Sequence, residues 1–249
     1  MTTRFANLLI DTADTLAQAR DGEDAWAGVN AVAGRLNANA VNAGVFLRGT
    51  ESIAWMRSSM KPGWLEEYAG AGLADTDPLL RASMAGAPPA LYDVAARMPD
   101  RSGDARMRRL HARMLEYGYR YMLTHAWFEG PQNKCLVLSC EDDPADLFGP
   151  GTARAFSAVS AMLSYSVHPP GADNPAARAF GSEWRALTQR EADVLAWLAG
   201  GLSEDAIAER TGRDRTEVSR VIRAASAKMR AESRDQAIAL AMMRGLLAL

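Results

Sequence analysis

The stretch from Leu187 to Leu247 constrains this chain most, because four helix-start signals follow one another in it at short intervals. Thr188 stands three residues before Glu191, and Ser233 three before Gln236. Either pair can trade side-chain and backbone hydrogen bonds as a capping box. Ser203 and Asp214 are N-cap residues by type for the two helices between. Gly201 falls where the first helix should end on a left-handed residue, and Gly212 allows a sharp turn before the third. Short helices with such tight joints fit a compact all-α bundle containing a helix-turn-helix.

The third helix is two-faced. Val218, Val221, Ile222, Ala225 and Met229 make one stripe, while Ser219, Arg220, Arg223 and Ala227 fall opposite. A helix that enters the major groove must bury one side in its own domain and leave polar and cationic groups for bases and phosphates. The expected partner is therefore double-stranded DNA. Ser219 and Arg223, one turn apart, are expected to face bases, with Arg215, Arg220 and Lys228 on phosphates and Thr216 beside them at the helix start. The chain's net charge of -2 is uneven: from Arg185 onward there are 11 lysines and arginines against 9 acids. So slight a basic excess implies weak binding by one copy, and a homodimer is expected.

The run LTQREADVLAWLAGGLSEDAIAERTG, followed by EVSRVIR and SRDQAIALA, resembles the DNA-binding domain of LuxR-type transcription regulators. Glu191, Leu195 and Gly201 stand at that family's spacing, with Ile207 and Ala208 in the scaffold helix and Val218 in the recognition helix.

Ahead of it, helical stripes at Phe5–Leu16 and Trp26–Leu36 precede two strands, Val41–Leu47 and Ser52–Arg57, joined by a turn at RGTE. A helix around 63–71 and another from Asp77 follow. Residues 87–103, rich in Pro, Asp and Gly, read as a loop or lid. A charged helix over Arg106–Glu116, strands at Tyr119–Phe128 and Cys135–Cys140 turned at GPQN, and a last helix around Phe156–Leu163 complete the segment. The expected fold is α+β: an N-terminal α-β-α sandwich around an antiparallel sheet, followed by an all-α four-helix helix-turn-helix domain. Residues 1–167 are assigned to ligand sensing, 168–184, with PPG, ADNP and AFGS, to a linker, and 185–249 to DNA binding.

The resemblance extends forward to WLEEYAGAGLADTDP, where Trp64, Tyr68, Asp77 and Pro78 match the spacing of the autoinducer-binding domain of LuxR-type receptors. It implies a small-molecule signal, an N-acyl homoserine lactone or a related amphiphile, and no other cofactor. The tryptophan N–H would meet the lactone carbonyl, the aspartate the ligand amide, and the tyrosine ring the ligand's side. An apolar cavity with few fixed polar groups suits such a molecule independently of the family. Asp77 before Pro78 is equally a helix N-cap, and Trp64 with Tyr68 is equally a core pair. Three positions depart from the family pattern: Met60 stands for a tyrosine, Tyr92 for a second tryptophan, and Met122 near a usual glycine. These three, with Ser139 on the last strand, are expected around the ligand. Met56, Met84 and Met114 also belong to this region, as mouldable lining or as core filler.

His111, His125 and His168 are scattered, and no HExxH, GxSxG, phosphate loop or Cys/His metal spacing occurs, so no enzymatic or metal-dependent reading is supported. His111 is expected to be solvated. Cys135 and Cys140, five apart on a strand, point to opposite faces and cannot bridge. The N-terminus lacks a signal peptide's pattern and no long apolar run occurs, so a cytoplasmic protein with no membrane contact is expected. A rival reading is a LuxR-like interaction protein, independent of ligand or forming inactive heterodimers. It draws on Glu217 and Val221, where many relatives carry threonine and histidine. Glu217 could instead cap its helix behind Asp214.

Overall fold

The computed structural model describes residues 3–50, 52–148 and 151–247. Two helices open the chain, α1 (Thr3–Ala17) and α2 (Gly22–Arg35). A hairpin of β1 (Ala38–Leu47) and β2 (Ile53–Ser58) follows; of its RGTE turn, Glu51 lies outside the described residues. Next come α3 (Pro62–Gly70), a 3-10 turn (Leu73–Thr76), α4 (Pro78–Met84), β3 (Ala90–Asp93) and α5 (Ala105–Glu116). The second hairpin, β4 (Tyr121–Glu129) and β5 (Gln132–Cys140), leads to α6 (Ala145–Phe148) and α7 (Thr152–Ser166).

The strands form one antiparallel sheet in the order β2-β1-β5-β4-β3. Successive side chains alternate between two cores, as the pleat requires. Val41, Ala43, Val45, Leu136 and Leu138 join α1, α2 and α7 on one face. Ala40, Phe46, Met122, Cys135 and Val137 meet α3, α4 and α5 on the other. The α-β-α sandwich expected from the sequence is thus the fold observed. Val29, Val159 and Leu163 are fully buried, and each such side chain contributes about 1.5–3 kcal/mol by its burial.

Three local expectations need correction. Residues 87–103 are not all loop: Ala90–Asp93 pairs in register with Tyr121–Thr124 as the sheet's edge. His111 is not solvated. It lies one position after Leu110 and three before Met114 on α5, and that face is turned into the core. The segment expected as a bare linker contains α8 (Pro175–Phe180), capped by Asn174, whose Ala176, Ala179 and Phe180 complete the second core.

The C-terminal domain consists of α9 (Gln189–Ala199), α10 (Glu204–Thr211), α11 (Arg215–Met229) and α12 (Arg234–Met243). Thr188 and Glu191 form the full capping box, and Ser203 and Asp214 cap their helices through Ala206 and Glu217 amides. Ser233 accepts from the Gln236 amide, but the Gln236 carbonyl turns to the Glu232 amide at 2.5 Å rather than to Ser233, so this box is only half made. Gly201 and Gly212 both adopt positive φ, as their turns require.

The two halves touch. The Trp55 indole donates to the Met243 carbonyl at 2.9 Å, and Gln236 donates to the Ser52 hydroxyl at 2.7 Å. Arg244, buried at 5% exposure, donates to the carbonyls of Ala54 (2.7 Å) and Met229 (3.1 Å) and lies over the Trp184 ring. Burial lowers its pKa to about 10, which leaves it charged at neutral pH.

Candidate functional site

On α11 the buried stripe is Val218, Val221, Ile222, Ala225 and Met229. Thr216, Arg220, Arg223, Ala224 and Ala227 are exposed on the opposite side. The remaining sequence-predicted DNA residues are engaged within the domain to different degrees. Arg215 makes an exposed ion pair with Asp205 at 3.3 Å, worth little and easily exchanged for a phosphate. Ser219 is half-buried and donates its hydroxyl to Glu204 of α10. Lys228 binds Glu191 at 2.6 Å, where burial pushes the carboxyl up but the Lys228 ammonium and Thr188 outweigh it and hold it low. Lys228 is therefore tied into the α9 cap instead of standing free for phosphate.

Glu217 does not use its carboxylate as a cap. It pairs with Arg190 at 2.6 Å and Arg213 at 3.1 Å, and the Arg190 guanidinium above all holds it below the ordinary range. The acid near the exposed face is thereby compensated.

Between the sheet and α3, α4, α5 and α8 lies a cavity of about 40 Å³. That is room for a few waters, far below the ~300–1,000 Å³ of a pocket holding a drug-sized ligand. Met60, Trp64, Tyr68, Asp77 and Met122 all line it, drawn together from β4, α3 and the segments flanking α3 and α4. Met56 and Met114 also reach it, while Met84 packs only at the core's margin. Met56 can lie across β1 because its neighbour there is Gly44, where a Cβ would collide with the Met56 sulfur.

Asp77 caps α4, accepting from the Leu79 amide at 2.8 Å and the Leu80 amide at 3.3 Å on one oxygen. Its other oxygen accepts the Tyr68 hydroxyl at 2.9 Å. Burial raises its pKa against the lowering effect of these bonds, and burial first, then Asp77, drives the Tyr68 phenol well above its usual value. The cap and the cavity wall are thus the same carboxylate.

Tyr92 and Ser139 are not in this lining. Tyr92 bonds His111 across 3.0 Å and packs edge-on to its ring, while Ser139 is fully buried beside its cross-strand partners Met122 and Ala40. Several lining residues escaped sequence reasoning, among them Leu79, Leu80, Ser83 and Val137, and two come from unexpected places. Phe180 comes from the expected linker and sits 5.3 Å from the Tyr68 ring; Asn42 comes from the middle of β1.

Residues 185–241 match the family described as "Bacterial regulatory proteins, luxR family". The C-terminal domain belongs to the luxR family. The whole chain shares its fold with SdiA of Escherichia coli: 13% identity over 99% of each chain, TM-score 0.51. SdiA in complex with octanoyl-rac-glycerol matches at 12% identity over 100% of this chain and 99% of that one, TM-score 0.53. CepR2 from Burkholderia cenocepacia, described as an N-acylhomoserine lactone dependent LuxR family transcription factor, is 21% identical over 66% of this chain and 93% of its own, TM-score 0.51. No curated protein matches the sequence. No helix among the described residues is long and apolar enough to cross a membrane. The luxR-family domain accounts for the helix-turn-helix; the residues of the cavity rest on their geometry.

Proposed function

We propose that this chain is a signal-responsive transcription regulator that binds double-stranded DNA as a homodimer, with a small amphiphile such as an N-acyl homoserine lactone entering the cavity beside Trp64 and Asp77. The observation that carries the reading is that Met60, Trp64, Tyr68, Asp77 and Met122 converge on one cavity in a domain joined to a luxR-family helix-turn-helix. On α11 the exposed Thr216, Arg220 and Arg223 are assigned to DNA, with Arg215 exchanging Asp205 for a phosphate and Ser219 reaching bases on leaving Glu204.

Ligand binding must be coupled to the output domain to matter, since a ligand shifts an equilibrium only by its differential affinity for two states. Phe180 lines the cavity and leads within four residues to Trp184 against Arg244, while Met56 lines it one residue from Trp55 and two from the Ala54 carbonyl. Enlarging the cavity moves Met56 and Phe180, and both routes end on Arg244.

The rival reading as an inactive heterodimer partner loses its motive in Glu217, which is neutralised by Arg190 and Arg213, and in Val221, which is core. The test is selection of binding sites from a random DNA pool with and without N-octanoyl homoserine lactone. A two-fold symmetric site should be enriched, and Arg223→Ala should cost about 1–3 kcal/mol on it and relax one base position. An unenriched pool would overturn the proposal.

A further inference from the structure

Asn42 is an unusual residue for its place. It lies in the middle of β1, 7% exposed, with Val137 beside it on β5 and Met56 and Met60 around the same cavity. Its Nδ2 meets only the Met60 sulfur, a weak acceptor, at 3.5 Å. Its Oδ1 is buried with no donor from the protein.

Apart from the Trp64 indole N–H, which is a donor only, the cavity's other polar side chains are spoken for. Asp77 accepts three hydrogen bonds, Tyr68 donates to Asp77, and Ser83 meets the Cys135 thiol. A leucine or methionine at position 42 would extend the apolar wall without this penalty. A buried amide left unpaired is costly, and natural interiors keep one where something else completes it.

We propose that Asn42 is the cavity's specificity residue and that the ligand carries a hydroxyl which hydrogen-bonds to the Asn42 amide. This rests on the reading that the cavity takes a small amphiphile. A hydroxyl both donates and accepts, so it satisfies the amide in either of its two orientations. A charged donor fits less well: methionine, leucine, valine, phenylalanine and tryptophan make up most of the wall, and the oxygens of Asp77 are already engaged. Met60 is what opens Asn42 to the ligand, because a thioether holds the amide far more weakly than a phenol would.

The test is calorimetric titration of the full chain with 1-octanoylglycerol and with propyl octanoate, the same ester skeleton without its two hydroxyls, alongside N-octanoyl homoserine lactone. The glycerol ester should bind about tenfold tighter than the propyl ester, the ratio one neutral hydrogen bond supplies. Asn42→Leu should abolish that ratio by weakening the glycerol ester while leaving the propyl ester unchanged or tighter. Because it removes an unpaired buried group, its melting temperature should be no lower than that of the parent. Equal binding of the two esters to the parent chain overturns the role of Asn42 and leaves the cavity reading standing. An equal loss for both esters in Asn42→Leu shows a structural residue only and also overturns it. If none of the three molecules binds, the cavity reading falls and the proposal with it.

Discussion

The two halves of the molecule handle their polar groups in opposite ways. In the C-terminal domain every helix start is capped, and Glu191 and Glu217 are paired with Lys228, Arg190 and Arg213. In the sheet domain Asn42, Asn133 and Ser139 each keep a buried side-chain oxygen without a partner, and among the described residues no such atom lies beyond Ser182. A surface that reads DNA must hold its side chains in one arrangement, so its supports are fully bonded. Of the three sheet-domain residues only Asn42 lines the cavity, where the proposed ligand would complete it beside methionines whose side chains can adapt.

The comparison breaks most readily at the core of the small domain. Ile207→Ala, at a fully buried position on α10, should cost about 2–5 kcal/mol and abolish DNA binding. Calorimetry should then show the C-terminal domain melting first while octanoylglycerol still raises the melting temperature of the sheet domain. Loss of both transitions together would mean that the halves are one cooperative unit.

Arg244→Met tests the joint itself. It retains bulk but leaves the Ala54 and Met229 carbonyls without their donor, at about 1–3 kcal/mol each before relaxation. Two separated unfolding transitions should appear, and the ligand dependence of DNA affinity should shrink even though Arg244 is buried and not among the exposed residues of α11. An unchanged ligand response would remove Arg244 from the coupling route.

The smallest effect is on pH dependence. Burial holds the imidazoles of His111 and His125 below the usual 6.5, so the unfolded chain takes up protons first as pH falls. Stability from these groups is complete above pH 6.5 and is lost below it. The melting temperature of the sheet domain should therefore fall from pH 7.5 to 5.5, and His111→Gln should flatten that fall. In the C-terminal domain, which contains no histidine, the transition should change less over the same range.

Reading from sequence succeeded where the signal is local. Thr188, Ser203, Asp214 and Ser233 cap helices because a side-chain oxygen reaches an amide two or three residues on, and that spacing is written in the chain. Asp77 is legible as a cap for the same reason. The order of helices and paired strands pointed to an antiparallel sheet covered on both faces. Lys228 and Ser219 read as free because their partners, Glu191 and Glu204, stand 37 and 15 residues away. His111 read as solvated among arginines, since nothing in its own helix announces that Tyr92 will cover it. Phe180 was hidden in a segment whose prolines and glycines suggested a linker.

By itself, then, the sequence determined the helix starts, the polar and apolar faces of α11, and the α-β-α sandwich, all of which follow from interactions within a few residues or from a repeat of fixed period. Only the tertiary structure decided which arginines remain exposed, that Phe180 and Asn42 belong to the cavity, and that Arg244 joins the halves. Those are meetings of distant segments, and their energies come from the burial and pairing that exist only once the chain has closed on itself.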